Sequence, residues 1–386
     1  MTCTRGLKGG IGILATGLGL WLALPSSLGE ARPARAPEFL IRPYLFALGG
    51  DSLGLAWQYK SGLPRGAAAQ AVISRGRETI ATLEAGNDEG LRFVRLPIGA
   101  CGYGEGVTYR VTGQEEPVEI EAIPCASEAT VSRFTFIADS QDGPEHVKKF
   151  AADMARFPGT AVVHGGDIVQ KGSKFDEWVA YFAAMGPVGQ TRPLVMAVGN
   201  HEYVGDLSVP LWKRFFRVQA RQSYYAFELG SVRVLVLNSC FADDPSIVEP
   251  QLAWLRNELG KRFDGWTVVL FHHPAYSVGV ANSVMNPRAE WRIVQEKFVP
   301  LFESMGVDLV LNGHTHIFER SRKNGVEYLI AGPAGGMIGI AGTENPWTLY
   351  SNRTRTMTHF EADSRNLRAV TLDQDGRSLD DLRLSR

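Results

Sequence analysis

Five short apolar runs in this chain end in the same way: each stops at a small or ligand-type residue and then presents polar groups side by side. Phe134 to Ala138 runs into Asp139-Ser140-Gln141, Ala161 to His164 into Gly165-Gly166-Asp167, and Leu194 to Val198 into Gly199-Asn200-His201-Glu202. Thr267 to Phe271 runs into His272-His273-Pro274, and Val307 to Asn312 into Gly313-His314-Thr315-His316. Runs of this length bounded by Gly or Pro predict buried strands. Between them the period changes. Val147, Phe150, Ala151 and Met154 fall at i, i+3, i+4 and i+7 and predict a helix over 144–157, and Pro250 opens a second with Leu252, Leu255 and Leu259 on one face. Residues 174–185 and 288–304 are further helix candidates. Strands alternating with helices predict a layered α/β domain.

On either side the pattern is β. From Glu38 to Cys125, alternating runs such as Ser52 to Tyr59, Ala71 to Ser74, Arg92 to Leu96 and Thr108 to Val111 are separated by turn residues, which predicts a small β-sandwich without ligand-type clusters. Residues 325–386 return to strands, with a hairpin around Asp375-Gly376.

At 386 residues the chain is long for one domain, which favours a large domain and a smaller one. A net charge of −1 leaves no electrostatic footprint for nucleic acid or an anionic membrane. The expected domains are 1–36, a signal peptide and linker; 37–128, the sandwich; and 129–386, the catalytic domain. Arg5 and Lys8 precede the apolar run Ile11 to Leu24 and small residues follow it, the order of an export signal; left uncleaved, the same segment is a membrane anchor. No other segment predicts a membrane span. In an exported chain Cys101 and Cys125 can pair, leaving Cys240 free; two separate thiols are the alternative.

Open α/β sheets bind ligands at the carboxyl ends of their strands, so five such ends in one fold build one crevice. The crevice gathers carboxylates, amides and imidazoles but no thiolate, a donor set suited to Mn, Fe or Zn, and enough of it for two ions.

In order and content these motifs resemble the calcineurin-like metallophosphoesterase superfamily and, within it, the purple acid phosphatase-like branch. That branch carries an aspartate motif, GD, GNH followed by an acid, VxxH and GHxH, here Asp139-Ser140-Gln141, Gly166-Asp167, Gly199-Asn200-His201-Glu202, Val269 to His272 and Gly313-His314-Thr315-His316. Ile41 to Leu45 with Trp57 resembles the start of its leading fibronectin type III-like sandwich. The resemblance implies an αββα metallophosphoesterase sandwich behind that domain, and a phosphate ester as small-molecule substrate. It implies Asp167 as the carboxylate bridging two ions, Asp139, His316 and Gln141 on the first, and Asn200, His272 and His314 on the second. His201 is implied as proton donor to the leaving oxygen, Glu202 as the group orienting its ring, and a metal-bound hydroxide as the nucleophile. A phosphomonoesterase resembling acid phosphatases is the leading expectation; a phosphodiesterase and a metal-poor ligand-binding relative are the alternatives.

Two positions depart from the branch. Gln170 stands where an iron-binding tyrosine is found, and Gln141 where the wider superfamily often has histidine. Of the remaining residues, His273 reads as a support for the ligand His272, His164 as a satisfied strand histidine, His146 and His359 as surface or loop residues, and Glu319 with Arg320 as an ion pair. Tyr276 and Asn282 are candidate substrate contacts on the loop after His272.

Overall fold

The computed structural model describes residues 37–63, 66–97, 106–121, 131–217, 223–280, 289–342 and 344–386. The expected signal segment, Cys101, Cys125 and Asn282 lie outside the described residues; Cys240 is a free, buried thiol.

The amino-terminal strands are β1 (Phe39–Gly49), β2 (Ser52–Tyr59), β3 (Gln70–Arg75), β4 (Glu78–Glu84), β5 (Gly86–Asp88), β6 (Leu91–Arg95), β7 (Val107–Val111) and β8 (Val118–Glu119). They form the expected sandwich, the ladder β1-β2-β6-β5 against β4-β3-β7-β8, with Trp57, Ile73 and Tyr109 fully buried in its core. The first of these ladders does not stop at the sandwich. β1 pairs in parallel, Phe46 with Leu194, with β11 (Leu194–Met196), after β9 (Ser132–Ile137) and β10 (Ala161–His164). The result, among the described residues, is a ten-stranded sheet whose other edge is β19 (Thr356–Ala362), β20 (Asn366–Asp373) and β21 (Ser378–Ser385).

Facing it is a second sheet built from β12 (Tyr225–Leu229), β13 (Val232–Val236), β14 (Trp266–Leu270), β15 (Leu309–Asn312), β16 (Phe318–Lys323), β17 (Val326–Ile330) and β18 (Thr348–Asn352). Strand alternation divides its side chains between two cores. Val234, Val236, Val268, Leu270, Leu309 and Leu311 join the core that includes Phe134 and Phe136 of β9. Leu235, Val269 and Val310 point the other way, onto Leu252 and Leu255 of a helix. Strands covered on both faces read as continuous apolar runs, which is why the five motif strands were visible in the sequence.

The helices are α1 (Pro144–Met154), α2 (Phe175–Gly189), α3 (Pro210–Phe216), α4 (Val248–Leu259), α5 (Ala289–Ile293) and α6 (Val299–Ser304). α1 buries Val147, Phe150, Ala151 and Met154, the stripe predicted for it. α2 runs four residues beyond its predicted end and holds Pro187 in its last turn. The helix expected over 288–304 is helical at every residue from 289 to 304, widening to a π-helical turn at Val294–Phe298 between α5 and α6, with Pro300 in the first turn of α6.

Candidate metal centre

Three of the five strand ends, those of β9, β10 and β15, deliver their polar residues by a backbone turn that side chains ordinarily avoid. Asp139, Gln141, Asp167, His314 and His316 all have positive φ, between 24° and 74°. Such conformations cost about 1–3 kcal/mol apiece and persist only where the surroundings impose them. Here each strand turns out of the sheet immediately beyond its last paired residue, which points successive side chains inward together. The glycine of Gly199-Asn200-His201 is required by proximity: a Cβ at Gly199 would lie 2.2 Å from Asp167 Oδ1.

The turned side chains meet. His272 Nε2 lies 3.0 Å from Asp167 Oδ2 and 3.1 Å from Asn200 Oδ1. His314 Nδ1 lies 3.0 Å from the same Asn200 oxygen and 3.3 Å from His272 Nε2. On the other side of Asp167, His316 Nε2 is 3.5 Å from Asp139 Oδ1, and the His314 amide donates to Asp139 Oδ1 and Oδ2 at 2.9 and 3.1 Å. Asp139, Asp167 and His272 offer ligand atoms within 4.8 Å of one another, as do His272, His273 and His314. The ring of His273, set aside in the sequence as a support, lies 4.4 Å from that of His314, against 5.1 Å for His272, and its Nδ1 contacts Ser239 Oγ at 3.0 Å.

Backbone carbonyls fix which nitrogen each ring presents. Nδ1 of His272 donates to the Gly165 carbonyl at 2.9 Å, Nδ1 of His316 to that of Met337 at 2.5 Å, and Nδ1 of His201 to that of Gln170 at 2.8 Å. A carbonyl only accepts, so in all three the Nε2 atom is left for the centre. No local pattern in the sequence marks these carbonyls.

Charge is balanced across the buried groups. Burial pushes the Asp167 carboxyl up, but the His272 and His201 rings outweigh it and hold the group below the usual carboxylate range. His272 is raised to about 9, burial being overcome by Asp167 and Asp139. Asp139 goes the other way: burial raises it despite His316 and His272. His164 is the satisfied strand histidine expected, bonded through Nε2 to Ser140 Oγ at 2.9 Å and lowered to about 3 by burial.

The Gln141 amide nitrogen lies 3.1 Å from Asp167 Oδ2, which places its side chain at the centre beside the proposed bridging carboxylate. One expected role needs correction. Glu202 does not orient His201: it is fully buried, and its carboxylate accepts the amides of Asp167, Ile168, Val169 and Gly199 at 2.7–3.3 Å. On the short 3₁₀ turn His201–Tyr203, adjacent side chains diverge, one toward the site and one beneath it. Glu319 and Arg320 likewise point to opposite faces of β16 and form no ion pair. Glu319 accepts from Ser277 Oγ and the Val278 amide, both at 2.9 Å, while Arg320 pairs with Asp380 at 2.6 Å. Tyr276 is partly buried against Trp347 and Tyr328, with ring centroids 4.6 and 5.6 Å away.

Residues 132–318 match the calcineurin-like phosphoesterase family. This stretch is a calcineurin-like phosphoesterase domain. Around it the chain is similar to purple acid phosphatase 18 of Arabidopsis thaliana, 28% identical over 171 residues that cover 41% of this chain and 38% of that protein. It is similar also to the probable purple acid phosphatase 20 of the same plant, 27% identical over 222 residues covering 51% and 48%. The matched segments thus span less than half of these curated relatives. In fold, the phosphoesterase domain and its leading sandwich together are similar to the purple acid phosphatase PPD1 from yellow lupin, Lupinus luteus, with a TM-score of 0.75 at 17% identity over 91% of this chain and 75% of that one. PhoD is a second fold match, with a TM-score of 0.67 at 14% identity over 90% and 93%. Among the described residues no helix is long and apolar enough to cross a membrane.

The donor set fits metal ions. Imidazole nitrogens, carboxylates and an amide oxygen converge within hydrogen-bond distance of one another, the His272 and His316 rings already held on their far sides, as ligating histidines require.

Proposed function

We propose that this chain is an exported, metal-dependent phosphomonoesterase of the acid phosphatase kind. The observation that carries the reading is the meeting of Asp139, Asp167, Asn200, His272, His314 and His316 from five separate strand ends, with left-handed backbone at four of the six. Asp139, Asp167 and His316 would hold one ion of Mn, Fe or Zn, and Asn200, His272 and His314 a second that shares Asp167. Bound ions supply Lewis acidity there, offsetting phosphoryl charge and acidifying water.

The chain's own groups do the remaining work. The His201 side chain keeps a quarter of its surface exposed, and its Nε2 stands 3.9 Å from Asp167 Oδ2. With Nδ1 committed to the Gln170 carbonyl, Nε2 is the atom that passes a proton to the leaving oxygen. Glu202 keeps the Asp167 and Gly199 turns in register from below. Export rests on the order of charged, apolar and small residues over the first 27 positions.

The test compares p-nitrophenyl phosphate with bis-p-nitrophenyl phosphate after separate loading with Mn, Fe and Zn. Faster turnover of the monoester is expected; faster turnover of the diester reverses the assignment, and no turnover of either with any metal leaves only a ligand-binding role.

A further inference from the structure

We infer that a cavity of about 260 Å³ beside the metal centre receives the ester group of the substrate and selects an uncharged, ring-sized group over an anionic one. The inference rests on the phosphoesterase reading above. Gln141 and Gln170, the two positions at which the chain departs from the motif pattern, both line this one cavity. Both are also tied to the reacting groups: the Gln141 amide donates to Asp167 Oδ2, and the Gln170 carbonyl holds His201. A group leaving phosphorus next to His201 therefore has this cavity beside it.

The lining defines the ligand. Val147, Ala180 and the ring of Tyr181 make apolar walls, and the space exceeds the ~150 Å³ that admits benzene in an engineered cavity. The two glutamine side chains give the cavity a hydrogen-bonding edge. Among the described residues no lysine or arginine lines the cavity, whereas Asp142 and Glu177 do. Glu177 is partly offset by Lys174 at 3.8 Å and by the Lys171 amide at 2.8 Å, while Asp142 forms no ion pair among the described residues and stays exposed. An ester group carrying its own negative charge meets repulsion here, from Asp142 above all.

Ala180 is exposed on α2 while lining the cavity, so Ala180→Trp fills the space from the helix surface and leaves the core alone. Dissociation constants of the metal-loaded protein for inorganic phosphate, phenylphosphonate and 4-carboxyphenylphosphonate are read by calorimetry, independently of turnover. In Ala180→Trp the constant for phenylphosphonate rises about tenfold and that for phosphate stays within about twofold, with Ala180→Leu between variant and wild type. In the wild type the carboxylated ring binds about fivefold more weakly than the plain one. Unchanged phenylphosphonate binding in Ala180→Trp, or an equal rise for both anions, overturns the subsite; equal or tighter binding of the carboxylated ring overturns its selectivity. Neither result touches the hydrolysis of p-nitrophenyl phosphate by the wild type, on which the phosphoesterase reading stands or falls separately.

Discussion

His201 Nδ1 lies 2.8 Å from the carbonyl oxygen of Gln170, so the ring proposed to protonate the leaving group is held by the backbone of the turn that carries Asp167. The His201 amide closes the same loop, donating to Asp167 Oδ1 at 2.8 Å. Proton donor and proposed bridging carboxylate thus move as one unit. Replacing His201 by Ala removes the donor and leaves this turn in place. Turnover of p-nitrophenyl phosphate is expected to fall by about 10²–10⁴. The melting temperature is expected to stay near the wild-type value, because the side chain is partly exposed; an unaltered kcat in this variant removes the role.

Position 170 is expected to control the colour of the iron-loaded protein. A glutamine offers an iron site no phenolate, and burial holds the nearby Tyr181 hydroxyl protonated. Iron-loaded wild type is expected to show no tyrosinate charge-transfer band in visible absorption, and Gln170→Tyr to gain one. A band of wild-type intensity already present would place another tyrosine on the metal.

Glu202 is a clamp, and its loss should read as lost stability before lost chemistry. Glu202→Ala strands four buried backbone N–H groups at about 1–3 kcal/mol each, so a drop of several kcal/mol in denaturant unfolding is expected. Glu202→Gln keeps one acceptor oxygen and should fall between. A Glu202→Ala variant of full stability contradicts the clamp.

His359 makes a pH prediction away from the metal site. Expected as a surface or loop residue, it instead sits on β19, bonded through Nδ1 to Thr135 Oγ1 at 2.8 Å and stacked on Phe157 with centroids 4.0 Å apart. Burial, with the Arg192 charge second, lowers it to about 4. The native state therefore binds fewer protons than the unfolded one between about 4 and the unperturbed value of about 6.5. Its contribution is whole above that window and is lost as the pH falls through it. His359→Gln should flatten the fall in stability between pH 6.5 and 4 measured by urea unfolding; an identical slope in the variant would sink the assignment.

What the sequence revealed and what it hid divide along the range of the interactions involved. The five motif strands and the buried stripe of α1 were legible because each depends on periodicity within a few residues. The parallel pairing of Phe46 with Leu194 was not, since nothing local specifies a partner so distant in the chain. Glu202 was misread for the same reason: three of its four donors come from the turn at Asp167–Val169, more than thirty residues away, and only the folded chain brings them together. Glu319 and Arg320 failed through strand alternation, which separates neighbours to opposite faces however complementary their charges. The left-handed turns at Asp139, Asp167, His314 and His316 fall on residue types that tolerate positive φ better than most, yet such residues are too common along the chain for type alone to mark the turns.

The most direct measurement is the metal content of the purified protein, loaded and then desalted, beside Asp167→Ala treated identically. About two ions per chain in the wild type are predicted, with ions and hydrolysis of p-nitrophenyl phosphate lost together in the variant. A wild-type chain that retains no ion, or that hydrolyses the ester as fast after exhaustive chelation, contradicts the account.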